Sequence, residues 1–405
     1  MSVAFDAKDF LPFELDYKKY ADGEIPVGNY FVGRQKILNE MVATFRASDG
    51  GKCYLVHGQR RTGKNTLRDN LFKRLEAEEP GKYICTKMGM RGVSEDDNLK
   101  SVFYDELKLE VAKALGVSAT AFIEEIEHLF APGNIMSRIK YLGTRLHEKG
   151  FVWVVAIDEF TDAFKTAKTS GQIPSFVGML RSLLDTKTFH VFLVGMDSLI
   201  QLKKEYFPND SEIIEDCPLT YLEQDALECL LRRPMEEVLG NECFAPGTTV
   251  FRELMEWSGG VPQLAQLLCS KLVELLNSEE KRRRVMDGDI ERVGKLLCSQ
   301  RKLDTFTTFT EMGLPGFDDS KLTSVYKEIA RSTPMGSVFV PVKGLKIESA
   351  ILYLLLDRKV IVEEAGSIRF KSRLFAEWVK NGGLEVHQFV KNDMPLMGKE
   401  IVHAE

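Results

Sequence analysis

Residues 53–66 constrain the fold of this chain more than any other stretch. They read C-Y-L-V-H-G-Q-R-R-T-G-K-N-T, a short apolar run followed by a glycine turn and a Gly63-Lys64 pair. The apolar residues 54–56 are typical of a strand that is buried on both faces of a parallel sheet. The segment after the turn has a helical apolar stripe formed by Leu67, Leu71 and Leu75. The pattern therefore predicts a strand, a glycine-rich loop and a helix in succession.

The loop has the spacing of a phosphate-binding loop. In the pattern G-x-x-x-x-G-K-[ST], backbone N–H groups surround phosphate oxygens and the lysine, here Lys64, reaches the terminal phosphates. Glycine is required because a side chain would keep the backbone away from the ligand, and the next helix points its positive N-terminal end at the phosphate. The predicted phosphate-binding residues are Gly58, Gln59, Arg60, Arg61, Thr62, Gly63, Lys64, Asn65 and Thr66.

One position departs from this pattern. Asn65 stands where a serine or threonine hydroxyl normally coordinates Mg²⁺, and its longer carboxamide would crowd or displace the metal. Thr66 could supply a hydroxyl only if the loop shifted by one residue. Both residues are predicted metal ligands of reduced quality. We expect weakened Mg²⁺-dependent nucleotide binding and low turnover, whether Asn65 is native or replaces an original Ser or Thr.

A second signal is an acidic pair at the end of an apolar run. Residues 151–160 read F-V-W-V-V-A-I-D-E-F, the form of a Walker B segment. Since the carboxyl ends of parallel strands meet at one edge of the sheet, Asp158 and Glu159 should lie beside the phosphate loop. Asp158 would hold Mg²⁺, usually through water, and Glu159 would polarise the attacking water. Lys64 and Glu159 are the predicted catalytic residues.

Other segments extend the same alternation of strands and helices. Further strands are predicted at 83–88, 189–198 and 213–219, and helices at 106–115, 121–130 and 135–149. A helix that starts at 221 is predicted to break at Pro234 because proline lacks an N–H. The basic run 281–284 is flanked by acidic residues, which favours a solvated helix end over phosphate contact.

Bulk properties limit the class of protein. The 405 residues, of which 44% are hydrophobic, are enough for two or three domains with cores of their own. The net charge of −6 argues against broad affinity for nucleic acid. No apolar run is long enough to span a membrane, and residues 1–10 lack the features of a signal peptide. The seven cysteines are scattered and never form C-x-x-C, as expected for reduced thiols in the cytoplasm.

Four ordered segments together resemble the AAA+ and STAND ATPases. F-V-G-R-Q-K-I-L-N-E-M at 31–41 is similar to their F-V-G-R-E-x-E-L signature, and the phosphate loop and the acidic strand end follow it. S-G-G-V-P-Q-L-A-Q-L-L-C at 258–269 resembles T-G-G-x-P-x-x-x-Q-x-x-C in the archaeal-type ATPases of the STAND branch, which are related to origin-recognition ATPases. The resemblance covers about residues 28–380.

This resemblance implies a fold and a cofactor. The implied fold class is α/β, a three-layer P-loop NTPase core on a parallel sheet, followed by a helical lid and a winged-helix domain. The implied boundaries are a lead-in at 1–27, the core at 28–219, the lid at 220–300, the winged helix at 301–383 and a loose tail at 384–405. ATP or ADP with Mg²⁺ is the implied cofactor. The residues implied to contact the adenine are Phe31, Val32, Gly33, Arg34 and Pro262.

Two parts of the chain depart from what the resemblance implies: the γ-phosphate sensor and the charge of the winged helix. The γ-phosphate sensor position after the fourth strand holds Met196, and Asp197 or Ser198 is a weak substitute. R-F-K-S-R-L-F-A-E-W-V at 369–379 resembles the end of the winged helix, but the expected exposed charges there are mixed. They are Lys346, Glu348, Glu363, Glu364, Arg369 and Lys371, with Tyr353 beside them. This mixture favours a packing or regulatory role over DNA binding.

Two function classes follow from the sequence. The first is a nucleotide-dependent switch or assembly factor of the signalling or defence type, with a protein partner or a homo-oligomer as its target. The second is a DNA-acting ATPase that uses the winged helix. A third, weaker hypothesis is a scaffold with a degenerate nucleotide site. None of the three requires a membrane.

Overall fold

A computed structural model describes most of the chain and divides it into two compact units. The described residues are 13–22, 24–48, 51–89, 98–115, 118–130, 134–160, 171–185, 189–196, 198–207, 213–279, 282–299, 306–310, 320–332 and 339–384. The core unit comprises residues 34–220, and the helical unit comprises residues 1–33 and 221–405. The first helix, α1 (Tyr17–Ala21), therefore belongs to the helical unit. The predicted tail lies almost wholly outside the described residues.

The core unit is built on a five-stranded parallel sheet. Its strands are β1 (Cys53–His57), β2 (Tyr83–Gly89), β3 (Val152–Asp158), β4 (Phe189–Gly195) and β5 (Ile214–Pro218), in the order β2-β3-β4-β1-β5. The central strands β1 and β4 are buried along their whole length, as their mainly apolar sequences predict. All five predicted strands are confirmed, with ends that shift by up to three residues.

Helices connect these strands and enclose an apolar core. They are α2 (Gln35–Ala47), α3 (Lys64–Glu78), α4 (Leu99–Leu115), α5 (Ser118–Leu129), α6 (Ile135–Glu148), α7 (Ile173–Leu184) and α8 (Ser198–Tyr206). Trp153, Phe160 and Phe176 are among the fully buried side chains of this core. The predicted three-layer α/β class is confirmed. The predicted helix 106–115 is longer at its start and begins at Leu99.

The helical unit has a core of its own. Its helices after α1 are α9 (Gln224–Leu239), α10 (Val250–Ser258), α11 (Pro262–Ser278), α12 (Asp289–Ser299), α13 (Thr307–Thr310), α14 (Ser320–Ser332), α15 (Ser349–Asp357) and α16 (Arg373–Lys380). Short 3₁₀ turns lie at Gly28–Tyr30, Asn241–Cys243 and Val342–Gly344. Trp257, Trp378 and Tyr326 are fully buried in this second core.

The predicted helix break at Pro234 is wrong. Helix α9 continues through Pro234 to Leu239. A proline deprives the carbonyl four residues earlier, that of Leu230, of its helical N–H donor. The buried hydroxyl of Tyr17 donates to this carbonyl at 2.9 Å and to that of Leu231 at 3.2 Å. A contact from a distant segment thus compensates for the hydrogen bond that the proline removes.

The segment around α1 is bonded to the helices of the helical unit at further points. The Asn277 side chain accepts from the Phe13 N–H at 3.1 Å and donates to the Phe13 carbonyl at 2.8 Å. Gln263 Nε2 donates to the carbonyl of Ala21 at 2.9 Å. These bonds satisfy backbone groups at both ends of the short helix, so the segment is an integral part of this unit.

The end of the chain fits a winged-helix domain. Strands β6 (Val340–Pro341), β7 (Ile361–Glu364) and β8 (Ser367–Phe370) form an antiparallel sheet in the order β6-β8-β7. The turn between β7 and β8 lies at Ala365-Gly366, where φ is 49° and 73°. Ser372 then caps α16, because its Oγ accepts from the Phe375 N–H at 3.2 Å. In the part of the chain that the structure describes, no helix is long and apolar enough to cross a membrane.

Candidate functional site

The loop between β1 and α3 has the backbone conformation that its glycines predict. Gly58 and Gly63 have φ of 147° and 92°, and Arg61 between them has φ of 65°. A Cβ at Gly58 would lie 2.3 Å from the carbonyl oxygen of Leu219, so no larger residue fits. Thr62 Oγ1 donates to the carbonyl of Gln59 at 3.0 Å and closes the loop. The result is a tight, preformed turn at the N-terminus of a helix.

Lys64 is the first residue of α3, and its ammonium group is turned back onto the loop. Its Nζ donates to the carbonyl oxygen of Gly58 at 3.0 Å and to that of Gln59. A positive charge is therefore fixed beside the backbone of the loop, next to the positive end of the helix. Loop, lysine and helix terminus together attract an anion such as a phosphate.

Asp158, at the end of β3, is joined to the loop helix. One carboxylate oxygen, Oδ2, accepts from Arg68 Nη1 at 2.9 Å. The other, Oδ1, accepts from the backbone N–H of Glu159 at 2.8 Å. Glu159 itself has φ of 52°, a left-handed conformation that costs a residue with a side chain roughly 1–3 kcal/mol. Asp158 is thus connected to the loop helix through Arg68.

Arg68 belongs to a small network of charges that sequence reasoning missed. Its Nε donates to Asp69 Oδ1 at 2.9 Å, and Lys87 Nζ on β2 contacts the same oxygen at 2.6 Å. Burial alone would raise the pKa of Asp69, but these two cations outweigh burial and hold that pKa below its usual value. Arg68 is buried although it is charged. Only the acidic neighbour at 69 could have indicated a partnered arginine.

The remaining loop positions differ in exposure. Arg60, Arg61 and Asn65 are exposed, Thr66 is half-buried, and Gln59 is buried. Asn65 lies at the second position of α3, as the motif requires.

The residues implied to contact the adenine are divided between the units. Phe31 and Val32 are buried within the helical unit, where a Cβ at Gly33 would lie 2.8 Å from that of Ala226. Pro262 begins helix α11 in the same unit. Arg34 belongs to the core unit, where Nη2 donates to the carbonyl of Thr220. The adenine contact remains a prediction.

The sensor position is only partly described. Met196 is half-buried at the end of β4. Asp197 and the side chain of Ser198 lie outside the described residues, so their role as substitutes also remains a prediction.

The side chains around Asp158 do not fit a directly bound Mg²⁺ ion. Both carboxylate oxygens of Asp158 already accept hydrogen bonds, one of them from a guanidinium. Asn65 offers a neutral carboxamide in place of a hydroxyl. Among the residues that the structure describes, no group of three or more His, Cys, Asp or Glu side chains could hold a metal.

The basic residues predicted at the wing are engaged within the helical unit. Arg369 lies over the ring of Phe339 at 5.1 Å, and Lys371 Nζ lies over the ring of Tyr221 at 5.3 Å. Burial, with the nearby Lys359 adding to it, lowers the pKa of Lys371 against the opposing effect of Glu223. Tyr353 on α15 is 72% exposed.

Of the basic run 281–284, the structure describes residues 282–284, and Lys281 lies outside the described residues. Helix α11 ends before it, at Ser278. Arg282 Nη2 contacts Glu279 Oε2 at 3.0 Å and Asp289 Oδ1 at 2.9 Å. Arg283 lies 5.5 Å from the ring of Phe13. Arg282 and Arg283 therefore contact other parts of the helical unit.

The parallel sheet with a glycine loop and lysine after its first strand defines the P-loop NTPase fold. No family model matches the sequence, and the search of curated proteins found no match. Among solved structures, 248 chains match. The ORC2 protein of Aeropyrum pernix, solved in ADPNP-ADP complexes, has 13% identity and a TM-score of 0.54 over 92% of this chain and 97% of its own. The Walker-type ATPase PABY2304 of Pyrococcus abyssi has 16% identity and a TM-score of 0.50 over 86% and 96%.

At these identities the similarity establishes the fold. The chain shares its fold with the ORC2 protein of Aeropyrum pernix along most of its length. The resemblance drawn from the four sequence segments is confirmed at this level.

Proposed function

We propose that the protein binds an adenine nucleotide at the phosphate loop and acts as a nucleotide-dependent switch. The observation that carries this proposal is the preformed loop, in which Gly58 leaves no room for a side chain and Lys64 holds its charge against the loop carbonyls. Phosphates would bind along residues 58–66, and the ammonium of Lys64 would turn from these carbonyls to the terminal phosphates. The ORC2 protein with the same fold was solved with nucleotides, which supports this choice of ligand.

Hydrolysis would be slow in this scheme. Glu159 would orient the attacking water, but its backbone is held in a left-handed conformation beside a carboxylate that is already bonded. Asn65 lacks the hydroxyl of the usual motif. A slow site suits a switch, because the bound state then persists long enough to be read by a protein partner or by another copy of the chain. We place this activity in the cytoplasm, in agreement with the free cysteines of the described chain.

Nucleotide binding can be tested with Lys64→Ala. Nucleotide released from the denatured protein should be identified, and the Kd of a fluorescent ATP should be measured by anisotropy. We expect Lys64→Ala to raise this Kd at least about 100-fold, since a charge-assisted contact to phosphate is lost. Lys73→Ala removes an exposed lysine from the same helix and should leave the Kd unchanged. Equal affinities for the wild type and Lys64→Ala would overturn the proposal.

A DNA-acting ATPase is the second candidate. It is favoured by the winged-helix domain, whose helix α15 carries the strongly exposed Tyr353, and by the fold shared with a protein named ORC2. Lys371 is only half-buried, but it packs on the ring of Tyr221, so a charge reversal there would also disturb the fold. Lys343 and Lys346 are exposed and better suited. Salt-dependent DNA binding that is lost in Lys343→Glu/Lys346→Glu would favour this candidate over the switch.

A further inference from the structure

The strongest unassigned feature is the contact between Arg68 and the acid that ends β3. Arg68 lies one turn after Asn65 on α3, and its Nη1 is 2.9 Å from Asp158 Oδ2. The side chain of Arg68 is 8% exposed and that of Asp158 is 22% exposed. The pair is therefore shielded from solvent screening, unlike an ion pair on the surface.

The local charges balance without a metal ion. Arg68 bridges two carboxylates, with Nε on Asp69 and Nη1 on Asp158, and Lys87 adds a second cation at Asp69. Two negative groups thus face two positive groups. A divalent cation coordinated by Asp158 would lie within a few ångströms of the guanidinium, and the two would repel each other.

We propose that Arg68 is a built-in counter-cation that replaces Mg²⁺ at Asp158, so that nucleotide binds to the loop independently of Mg²⁺. This inference rests on the proposed function, because it concerns the same site. Arg68, more than Asn65, would then be the main cause of the low Mg²⁺ dependence of nucleotide binding. Arg68 is a positioning residue, since it holds Asp158 and has no contact with the loop backbone among the described hydrogen bonds.

The geometry of arginine suits this role. Its planar guanidinium presents several N–H groups in a fixed fork, which allows one side chain to bond two carboxylates at once. Asn65 is consistent with the same arrangement, because a site without a metal needs no hydroxyl ligand. Two positions on one face of α3 therefore depart together from the requirements of a Mg²⁺ site.

The test is best made in an Asn65→Thr background, where the hydroxyl ligand is restored and Arg68 is the remaining obstacle. The Kd of fluorescent ATP would be measured with excess Mg²⁺ and with EDTA for the wild type, N65T, N65T/R68Q and N65T/R74Q. Arg74 lies on the same helix and forms an exposed ion pair with Glu78, so R74Q is the matched control. Binding of Mn²⁺, followed by electron paramagnetic resonance, gives a second readout that needs no catalysis.

For the wild type, N65T and N65T/R74Q, we expect the Kd measured in EDTA to be close to the Kd measured with excess Mg²⁺, so that their ratio is near one. For N65T/R68Q, Mg²⁺ should tighten binding by about tenfold or more, and Mn²⁺ should be retained. The same ratio in N65T and N65T/R68Q would overturn the proposal. A tenfold Mg²⁺ effect in N65T itself would also overturn it.

The second of these outcomes needs no change at Arg68, so the test survives even if R68Q unfolds, which circular dichroism would show. Failure of the proposed function is a different result. In that case, no nucleotide would bind to any variant with or without metal.

Discussion

Gly58 shows how little space the phosphate loop leaves for substitution. A Cβ there would be 2.3 Å from the carbonyl oxygen of Leu219, which is a backbone atom and cannot rotate away. The residue also has φ of 147°, which side chains rarely adopt. We expect Gly58→Ala to destabilise the protein by at least about 1–3 kcal/mol from strain alone, and to abolish nucleotide binding.

Thermal unfolding and anisotropy would measure both effects of Gly58→Ala. The matched control is Gly178→Ala in α7, where the added Cβ meets no atom within 4 Å and φ is ordinary. This change should be neutral or stabilise slightly, since alanine favours a helix over glycine. A Gly58→Ala protein with the stability and affinity of the wild type would contradict the described loop.

At the residue scale, the sequence predicted what the loop needs and missed what surrounds it. Gly58, Gly63 and Lys64 could be found because backbone approach and charge demand those residue types at a fixed spacing. Arg68 could not, since a charged residue in a helix is usually solvated. Its partner Asp158 is distant in sequence, and only the fold brings the two together.

At the scale of elements, helix α9 depends on a hydroxyl outside it. Tyr17 donates to the Leu230 carbonyl that Pro234 leaves without a helical partner. Burial raises the pKa of Tyr17 well above its usual value, so the hydroxyl keeps the proton that it donates. We expect Tyr17→Phe to cost about 1–3 kcal/mol, because a buried carbonyl loses its partner.

A double-mutant cycle can assign this cost to the proline. Pro234→Ala restores an N–H for Leu230, so Tyr17→Phe should cost about 1 kcal/mol less in that background than in the wild type. Denaturant titration gives the free energy of unfolding of each variant, and the differences give the cost of Tyr17→Phe in each background. Tyr353→Phe, at a strongly exposed tyrosine, serves as the control and should change little. Equal costs of Tyr17→Phe in both backgrounds would show that the hydroxyl does not replace the missing donor.

The elements differ in how well the sequence predicts them. Strands β1, β3 and β4 could be predicted because uninterrupted apolar runs between polar segments have few other structures available. The path of α9 through Pro234 could not, since the compensating group is 213 residues away. The contact of Arg283 with the ring of Phe13 could not be predicted either, since the two residues are far apart in the sequence.

At the scale of the whole molecule, the reactivity of the cysteines tests whether both hydrophobic cores exclude solvent. Burial raises the pKa of Cys53, Cys85, Cys217 and Cys298 to about 12, that of Cys243 to about 11, and that of Cys269 further still. A raised pKa lowers the thiolate fraction, and the thiolate is the reactive form. We expect these six thiols to react very slowly with iodoacetamide at mildly alkaline pH.

Mass spectrometry after timed alkylation would identify each modified cysteine. In denaturant these six thiols should react quickly, because their pKa values return to about 8.5. Rapid labelling of Cys53 or Cys269 in the native protein would mean that the corresponding core is open.

The pairing of Phe13 with Asn277 and of Tyr17 with α9 also affects the order in which the molecule can be completed during translation. The ribosome produces Tyr17 early, but Leu230, whose carbonyl accepts from the Tyr17 hydroxyl, is made 213 residues later. All of residues 34–220 emerge in between. The core unit can therefore fold before residues 221–405, which complete the helical unit, have been made. The helical unit therefore completes its folding after the core unit.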